Sequence, residues 1–422
     1  MIRSTLSISI AIAVCLTGFG DVENVVAASR PSSKTIATGI EDLPCRNSFI
    51  AVKKNVTAVA YFKDGNIATR RSINGASSWE PVRTIALADG EDAFSENTDV
   101  DCSVQIVATS SAFYVGAYLK VDIDLPGYYQ FWKSFDGRSW SRAGQLMDSE
   151  PQMSQVIIAA TANRVFLAAI RKITANPECL VDQTVWCENS YPLQVYEVTE
   201  KPMTIGSPVT LGDGVLVDDS GWGAFALAGG DSIIATWSDS VNQYRAIRKS
   251  SKVWSAPAGF MTWWGGSPVH QGFETRVATS GTKGILAWAG TSDSVLRWRM
   301  TTNGGRTWGA QRIKNDSTWG WSMVRNVWAT GTTFRVAVER WDDAYSWISS
   351  DIYRISNSGA TRLWRAPAGQ SVIGGAFAQA RSIVVTRKAA YDPMGCDQDE
   401  WGNLVNCSDD LMVYSLYSYS SP

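Results

Sequence analysis

The chain has 422 residues and a formal charge of −2 at pH 7, so it has no excess of basic residues with which to bind nucleic acid. Hydrophobic residues make up 45% of it and there are 19 tryptophans, which is enough for a large buried core. No stretch has the composition of a linker, so we expect one folded domain and a monomer.

The N-terminus has the features of a signal peptide. Arg3 precedes an apolar stretch at residues 6–19, and Val26-Ala27-Ala28 has the small residues at which signal peptidases cut. An uncleaved anchor is the alternative, but the stretch is shorter than the roughly 18 apolar residues that span a bilayer. We therefore predict a signal peptide at residues 1–28 and a secreted domain at residues 29–422. The mature protein would be extracellular or periplasmic, with no transmembrane segment.

A recurring alanine divides the rest of the chain into seven units. Successive copies are 49–68 residues apart, and an apolar, β-rich run such as Ile285-Leu286-Ala287 follows each one. Turn residues separate the short strands, and helical periodicity is almost absent. This pattern is typical of propeller blades, so we predict an all-β fold consisting of a single, seven-bladed β-propeller. The alanines are Ala51, Ala108, Ala160, Ala228, Ala278, Ala329 and Ala378.

Each unit has the same predicted order of strands. An inner strand leads into the alanine, a second strand follows it, a third runs into a turn, and a fourth carries a tryptophan, as at residues 79–85. The seventh unit is one strand short, because the chain all but ends after residues 411–417. We therefore expect residues 34–39 to supply its fourth strand and close the ring, which removes exposed sheet edges.

A repeated turn precedes the tryptophan in three units. The clearest copies are Ser134-Phe135-Asp136-Gly137-Arg138-Ser139-Trp140 and Thr302-Asn303-Gly304-Gly305-Arg306-Thr307-Trp308, and another ends at Trp79. An Asp or Asn side chain hydrogen-bonds its own backbone, Gly adopts positive φ, and Trp packs behind the bend. The pattern resembles the Asp-box, S/T-x-D/N-x-G-x-x-W, of the sialidase-like propellers with BNR repeats.

This resemblance implies Asp-box turns between the third and fourth strands, at the outer edge of the propeller. Trp79, Trp140 and Trp308 would then have structural roles. Sialidases have six blades, so a six-bladed propeller is the alternative to seven.

Six cysteines remain after the predicted signal peptide is removed, and an even number suits an oxidising compartment. The predicted pairs are Cys179 with Cys187, Cys396 with Cys407, and Cys45 with Cys102. The first two would staple long insertions in the third and seventh units. No C-x-x-C pair occurs and His270 is the single histidine, so no zinc site is expected.

Three arginines precede the alanine of their units by a few residues, where an inner strand begins and points at the central funnel: Arg46, Arg276 and Arg325. Converging guanidiniums would bind a carboxylate strongly, because each offers a planar pair of donors. Sialidases use such a triad for the carboxylate of sialic acid. Arg46, however, stands in Cys45-Arg46-Asn47-Ser48 and not in the F-R-I-P of that family.

Tryptophans lie in the loops that enter the inner strands, on the same face as the arginines. Trp222, Trp263 and Trp319 could stack against the apolar face of a sugar ring, and packing between blades is the alternative.

The resemblance also implies a catalytic set, in which an Asp is the acid/base and a Tyr, activated by a Glu, is the nucleophile. By position the counterparts are Asp64, Glu274 and Tyr391, with Tyr345 as an alternative nucleophile. Asp64 precedes Gly65, and Asp-Gly is a strong hairpin signal, so a structural turn is the alternative for Asp64.

Acidic residues flank the last cysteine pair at Asp397, Asp399, Asp409 and Asp410. They could hold a structural Ca²⁺, but Trp401 occupies the third ligand position of a D-x-D-x-D-G loop. A solvated loop is the simpler interpretation, and no cofactor is expected.

We predict a secreted Asp-box propeller that binds a carbohydrate or glycoconjugate at its central funnel. A sialidase-like exo-glycosidase is the second interpretation, and a structural or protein-interaction propeller is the third. The fold alone does not decide between them.

Overall fold

The computed structural model describes residues 33–40, 49–63, 66–87, 104–119, 127–147, 153–171, 173–174, 189–200, 203–215, 225–238, 242–248, 253–262, 275–289, 295–315, 321–330, 333–342, 347–378, 381–389, 397–398, 404–405 and 409–417. The regular secondary structure of these residues consists of antiparallel β-strands. They include no helix with the length and apolar character needed to cross a membrane. The predicted signal peptide lies outside them.

The strands of the first half fall into blades in chain order. The first strand, β1 (Ser33–Ile40), belongs to the last blade. Blade 1 contains β2 (Ile50–Lys53), β3 (Val56–Lys63), β4 (Asn66–Ser72) and β5 (Arg83–Ile85). Blade 2 contains β6 (Val104–Ala108), β7 (Phe113–Leu119), β8 (Tyr128–Ser134) and β9 (Ser141–Met147). The third unit contains β10 (Met153–Ala160), β11 (Val165–Arg171), β12 (Ile173–Thr174), β13 (Asn189–Ser190), β14 (Leu193–Glu200), β15 (Met203–Ile205) and β16 (Val209–Gly212).

The second half continues the same pattern. Blade 4 contains β17 (Phe225–Gly229), β18 (Ile233–Ser238), β19 (Asn242–Arg248) and β20 (Ala258–Thr262). Blade 5 contains β21 (Arg276–Ser280), β22 (Lys283–Ala289), β23 (Leu296–Thr301) and β24 (Arg312–Lys314). Blade 6 contains β25 (Trp321–Thr330), β26 (Thr333–Trp341), β27 (Trp347–Ile355) and β28 (Ala360–Arg365). The seventh unit contains β29 (Gln370–Ala378), β30 (Arg381–Ala389), β31 (Asp397–Gln398), β32 (Leu404–Val405) and β33 (Asp409–Tyr417).

Seven inner strands form a closed ring. Each contacts the next in the order β2, β6, β10, β17, β21, β25 and β29, and β29 contacts β2. Each of the seven recurring alanines lies in one of these inner strands. The predicted seven-bladed propeller is therefore confirmed, and the six-bladed alternative is wrong.

The N-terminal strand closes the ring as predicted. The last blade has the order β29–β30–β33–β1, and β1 pairs antiparallel with β33, with Lys34 opposite Val413. Ile36 and Ala37 of β1 are buried in a core shared with blade 1, which includes Ile50 and Val59. One blade is thus assembled from the two ends of the described chain.

The middle strands are apolar because both faces of a blade are buried. In β26, Val336 and Val338 pack in the core between blades 5 and 6, whereas Ala337 packs in the core between blades 6 and 7. Alternation along a strand sends successive side chains to opposite faces, so each face joins a different neighbour.

The three repeated turns lie between the third and fourth strands, and their hydrogen bonds follow one scheme. In blade 2, Ser134 Oγ donates to Asp136 Oδ1 at 3.0 Å and accepts from Gly137 N at 2.8 Å. In blade 5 the same role belongs to Thr301, whose Oγ1 donates to Asn303 Oδ1 at 3.0 Å. The prediction that the repeated turn of blade 5 begins at Thr302 was therefore wrong by one residue.

Each turn also packs against the preceding blade. Trp140 Nε1 donates to Thr69 Oγ1 of blade 1 at 3.1 Å, and Arg71 of blade 1 donates to the carbonyl oxygen of Asp136 at 2.7 Å. The tryptophan precedes the fourth strand instead of lying in it, since β9 begins at Ser141. The turns therefore connect blades as well as strands.

Blade 3 and the two long insertions depart from the simple pattern. Both β15 and β16 pair with β14, so blade 3 has five strands. Two small ladders, β12–β13 and β31–β32, lie within the units that contain the insertions. All six cysteines of the predicted disulfides lie outside the described residues, so the pairings stay predictions.

Truncating a buried residue of the closing strand should destabilise the whole fold. Ile36 is 2% exposed, and we expect Ile36→Ala to lower the free energy of unfolding by about 2–5 kcal/mol, because it opens a cavity at the seam. Chemical denaturation followed by tryptophan fluorescence measures the change. Ile73→Ala, at a residue that is 56% exposed, is the control and should change it by less than about 0.5 kcal/mol. Equal shifts in both variants would contradict the role of β1.

The turn of blade 5 should not accept a side chain at Gly305. This residue has φ of 84°, and a Cβ atom there would lie 2.8 Å from Ile234 Cδ1. We expect Gly305→Ala to cost about 1–3 kcal/mol in thermal unfolding experiments, from backbone strain and the clash. Gly359→Ala, where a Cβ would meet nothing within 4 Å, should leave the melting temperature nearly unchanged. A neutral Gly305→Ala variant would contradict this account.

Candidate functional site

Side chains from several blades come together where the inner strands begin. In an antiparallel four-stranded blade, this end of the inner strand lies on the same face as the connection between the second and third strands. We call it the funnel face. Arg276 is the first residue of β21, whereas Glu339 and Trp341 are at the end of β26. Blades 5 and 6 therefore bring these side chains to the funnel face.

Arg276 is a buried cation that reaches the next blade. It is 5% exposed, and its Nε donates to the backbone carbonyl of Arg325 at 3.3 Å. Its Nη1 donates to the carbonyl of Thr275 at 3.2 Å. Burial, and then the charge of Arg325, lower the pKa of Arg276 to about 9. The positive charge of Arg325 thus acts unfavourably on Arg276 at the funnel-face end of the blade 5–blade 6 junction.

Arg325 lies between an acid and an aromatic ring. Its Nε donates to Glu339 Oε2 in a short ion pair, in which the Arg325 side chain is 29% exposed and that of Glu339 is 2% exposed. Its guanidinium carbon lies 5.6 Å from the centroid of Trp341, a cation–π distance. We call Arg276, Arg325, Glu339 and Trp341 the arginine cluster.

A β-bulge gives Arg325 its position. The register of β25 against β26 shifts between Val324 and Asn326, so Arg325 has no cross-strand partner. By strand alternation, Glu339 and Trp341 are on the same face of blade 6 as Ala337, which packs towards blade 7. The bulge turns Arg325 to meet Glu339 on that face.

Three buried oxygens at the funnel-face ends of blades 5 and 6 have no hydrogen-bond partner among the described residues: Glu339 Oε1, Thr275 Oγ1 and Ser322 Oγ. A buried polar atom without a partner is costly, typically about 1–3 kcal/mol. Polar atoms of this kind are often satisfied by a ligand or by water, so the three oxygens are candidate ligand contacts at this face.

An adjacent polar network of blade 6 is built around one buried carboxylate that pairs with two arginines. Asp351 is 0% exposed and accepts from Arg365 Nε at 2.7 Å and Nη2 at 3.0 Å. Arg340 Nε lies 3.3 Å from Oδ2 of the same carboxylate, and Arg340 Nη2 donates to the hydroxyl of Tyr353 at 2.7 Å. This network stabilises blade 6 without a ligand.

The hydrogen bond from Arg276 to the backbone of the next inner strand has equivalents at other places in the ring. The amide of Gln105 bonds to Val156 O at 2.7 Å and Ile158 N at 3.0 Å on the next inner strand. Asn326 Nδ2 donates to Ile373 O at 3.2 Å, again one blade further on. The hydrogen bond from Arg276 Nε is a third contact of this type. Arg276 therefore links two inner strands of the ring and also places positive charge at the funnel face.

The structure brings together two of the three predicted arginines, Arg276 and Arg325. Whether they bind a ligand stays a prediction. The remaining predicted site residues lie outside the described part of the chain: Arg46, Trp222, Trp263, Trp319, Asp64, Glu274 and Tyr391.

Sequence reasoning missed Glu339 and Trp341. Glu339 follows Val336-Ala337-Val338 in a strand whose central residues are all buried. An acid in a run of buried apolar residues needs a cation or a hydrogen-bond donor beside it. The position of Glu339 in the sequence therefore indicated a buried ion pair. Trp341 gave no signal, because many of the tryptophans in this chain pack between blades.

The described residues contain no group of three or more His, Cys, Asp or Glu side chains placed to hold a metal ion. Asp399 of the acidic loop lies outside those residues, so the possible Ca²⁺ site is not decided.

No protein-family model matches this chain, and no curated protein matches its sequence. Among solved structures, the polysaccharide lyase Uly1 aligns with a TM-score of 0.53 and 8% identity, over 88% of this chain and 90% of that one. A chain of the mitotic checkpoint complex gives a TM-score of 0.49 and 13% identity, over 97% and 99% of the two chains. The α-L-arabinofuranosidase Arb93A of Fusarium graminearum gives 0.41 and 11%, over 77% and 99%. At 8% identity the first likeness shows a shared fold and nothing finer.

Proposed function

We propose that this protein is a secreted propeller that binds an acidic sugar, free or within a glycoconjugate, at the arginine cluster. The observation that carries the proposal is the hydrogen bond from the Arg276 side chain to the backbone carbonyl of Arg325, which places two arginines side by side at the start of neighbouring inner strands. A carboxylate is the ligand group that best matches two guanidiniums, because each can donate two parallel hydrogen bonds to it.

The electrostatics of the arginine cluster favour an anion. Arg276 and Arg325 are both cations, and the acid of the cluster, Glu339, pairs with Arg325. The lowered pKa of Arg276 means that its buried charge is costly in the folded protein. A bound carboxylate would supply the opposite charge and recover part of this cost.

The other groups suit the remainder of a sugar. Trp341 lies beside Arg325 and could present a ring face to the apolar side of a pyranose. Glu339 Oε1 and Ser322 Oγ have no partners among the described residues, and they could bond to ring hydroxyls. The predicted tryptophans of the entry loops would extend this surface.

The fold is compatible with a saccharide ligand, since the polysaccharide lyase Uly1 shares it. Our proposal depends on the arginine cluster and not on that likeness. The catalytic set of Asp64, Glu274 and Tyr391 stays a prediction, so binding without turnover is the function we favour. A fluorogenic sialoside assay tests the alternative, and turnover that is lost in Tyr391→Phe would identify an enzyme.

Removing the buried arginine should weaken the binding of acidic sugars. A charge-assisted hydrogen-bonded contact contributes roughly 1.5–3 kcal/mol when sheltered, so Arg276→Ala should raise the Kd of an acidic ligand about tenfold or more. The ligand is first selected on a glycan array, and its Kd is then measured by isothermal titration calorimetry.

Arg312→Ala is the matched control, because Arg312 is exposed on β24, the outer strand of the same blade. It should bind the ligand as the wild type does. Absence of any glycan ligand, or an unchanged affinity in a folded Arg276→Ala variant, would disprove the proposed site. Circular dichroism establishes that the variants are folded.

Neutralising Glu339 should have opposite effects on binding and stability. Glu339→Gln leaves the charge of Arg325 uncompensated, so we expect an acidic ligand to bind about threefold more tightly or better at low salt. The gain should shrink as salt screens the charges. The variant should also lose about 1–3 kcal/mol of stability, because the ion pair is broken.

Glu197→Gln makes the same charge change away from the arginine cluster. Glu197 on blade 3 pairs with Arg164 at 3.1 Å and with Arg248. This control should lose stability without any gain in affinity. If Glu339→Gln bound acidic and neutral sugars with equally reduced affinity, Glu339 would contact the ligand mainly through hydrogen bonds, and the charge argument would be wrong.

A further inference from the structure

A cleft lies at the seam where the ring closes, away from the arginine cluster. It separates β1 of the last blade from the strands of blade 1 and has a volume of about 430 Å³. This is within the range of roughly 300–1,000 Å³ that is usual for small-molecule sites. Its walls include Ile36 and Thr38 from one blade, and Tyr61, Lys63, Arg70 and Val82 from the other.

In the part of the chain that the structure describes, the lining of the cleft contains two cations and no acid. Lys63 Nζ donates to Thr38 O at 2.6 Å, and Arg70 Nη1 donates to Ile36 O at 2.8 Å. Arg70 Nε donates to the backbone carbonyl of Glu80 at 2.6 Å, whereas the carboxylate of Glu80 pairs with Arg71 at 2.9 Å. The two cations are thus held by uncharged carbonyl oxygens, and among the described residues neither has a carboxylate partner.

A buried hydroxyl in the same wall has no acceptor. Tyr61 is 1% exposed, and its hydroxyl has no hydrogen-bond partner among the described residues. Burial raises the pKa of Tyr61 to about 12, so the phenol remains a hydrogen-bond donor at neutral pH. Among the described residues, the donors of Lys63, Arg70 and Tyr61 thus line one cleft without an anionic partner, and the Tyr61 hydroxyl has no acceptor at all.

We propose that the seam cleft is a second binding site, which takes a small anionic ligand whose carboxylate or sulfate group bridges Lys63 and Arg70. The volume limits the ligand to about the size of a disaccharide or smaller. The positive charges and the lack of acids in the lining select for an anion. Because Lys63 and Arg70 also hold the carbonyls of β1, the ligand would stabilise the closed ring.

Calorimetric titration of the full chain with sodium sulfate and, separately, with sodium glucuronate tests the site, at constant ionic strength and against chloride. Titrations are made in the Arg276→Ala background, so that binding at the arginine cluster does not contribute and the two proposals fail independently. We expect one or both probes to bind and to raise the melting temperature. The probe that binds identifies the anionic group as sulfate or carboxylate.

Three substitutions locate the binding. Arg70→Gln should weaken the probe at least tenfold. Because Arg70 also holds β1, Val82→Glu is the second variant: Val82 is 45% exposed at the cleft, and a glutamate there should repel the probe without breaking a hydrogen bond. Lys283→Gln, at an exposed lysine of β22, is the control and should bind normally.

Two results would overturn the proposal. One is that neither sulfate nor glucuronate binds, whatever the melting temperature of Arg70→Gln. Lys63 and Arg70 would then have a purely structural role. The other is binding that Arg70→Gln and Val82→Glu leave unchanged.

Discussion

The pairing of β1 with β33 is the constraint on which the rest of the molecule depends. A blade with three strands would expose the edge of β33 and leave the core around Ile36 and Val59 open on one side. The pairing joins residues as far apart as Thr35 and Met412, where the threonine hydroxyl donates to the methionine sulfur at 3.0 Å. Because the ring is closed, every inner strand has a neighbour on both sides, and side chains from different blades are held around one axis.

The arginine cluster is a product of that rigidity. Burying Arg276 beside another cation is unfavourable, and the protein tolerates it because the guanidinium also donates to the backbone of the next blade. A bulge in β25 then turns Arg325 towards Glu339, where the pair is largely desolvated. Around Asp351, one carboxylate pairs with both Arg340 and Arg365, so each of these guanidiniums already has an acid within the fold.

The blade count could be predicted from the sequence because an alanine recurs in every inner strand. The inner strands of blades 3 and 4 approach closely: a Cβ atom on Gly229 would lie 1.9 Å from the carbonyl oxygen of Ala160 on the neighbouring strand. A small residue is therefore required at Gly229, directly after the alanine of blade 4. The closing strand could also be predicted, since the last unit lacked a fourth strand and the N-terminal segment had β character.

Other features depended on information that no local pattern contains. The bulge at Arg325 is a shift of register between two strands, and the sequence of β25 gives no sign of it. The turn of blade 5 was misaligned because two successive threonines fit the motif, and the hydrogen bond from Thr301 to Asn303 distinguishes them. Arg276 and Arg325 were recognised by their distance from the alanines, but the acid and the aromatic ring beside Arg325 come from the following strand.

The composite last blade also imposes an order on biosynthesis. Each of blades 1 to 6 is made from one continuous stretch of the chain, so each can fold soon after its own residues are made. The last blade cannot, because its outer strand is synthesised first and the strand that pairs with it last. Until β33 has been made, β1 has no strand to pair with. During that time the ring remains open, and the face of blade 1 that packs against the last blade is uncovered. Completion of the ring is then a single late event that depends on loop closure over nearly the whole chain.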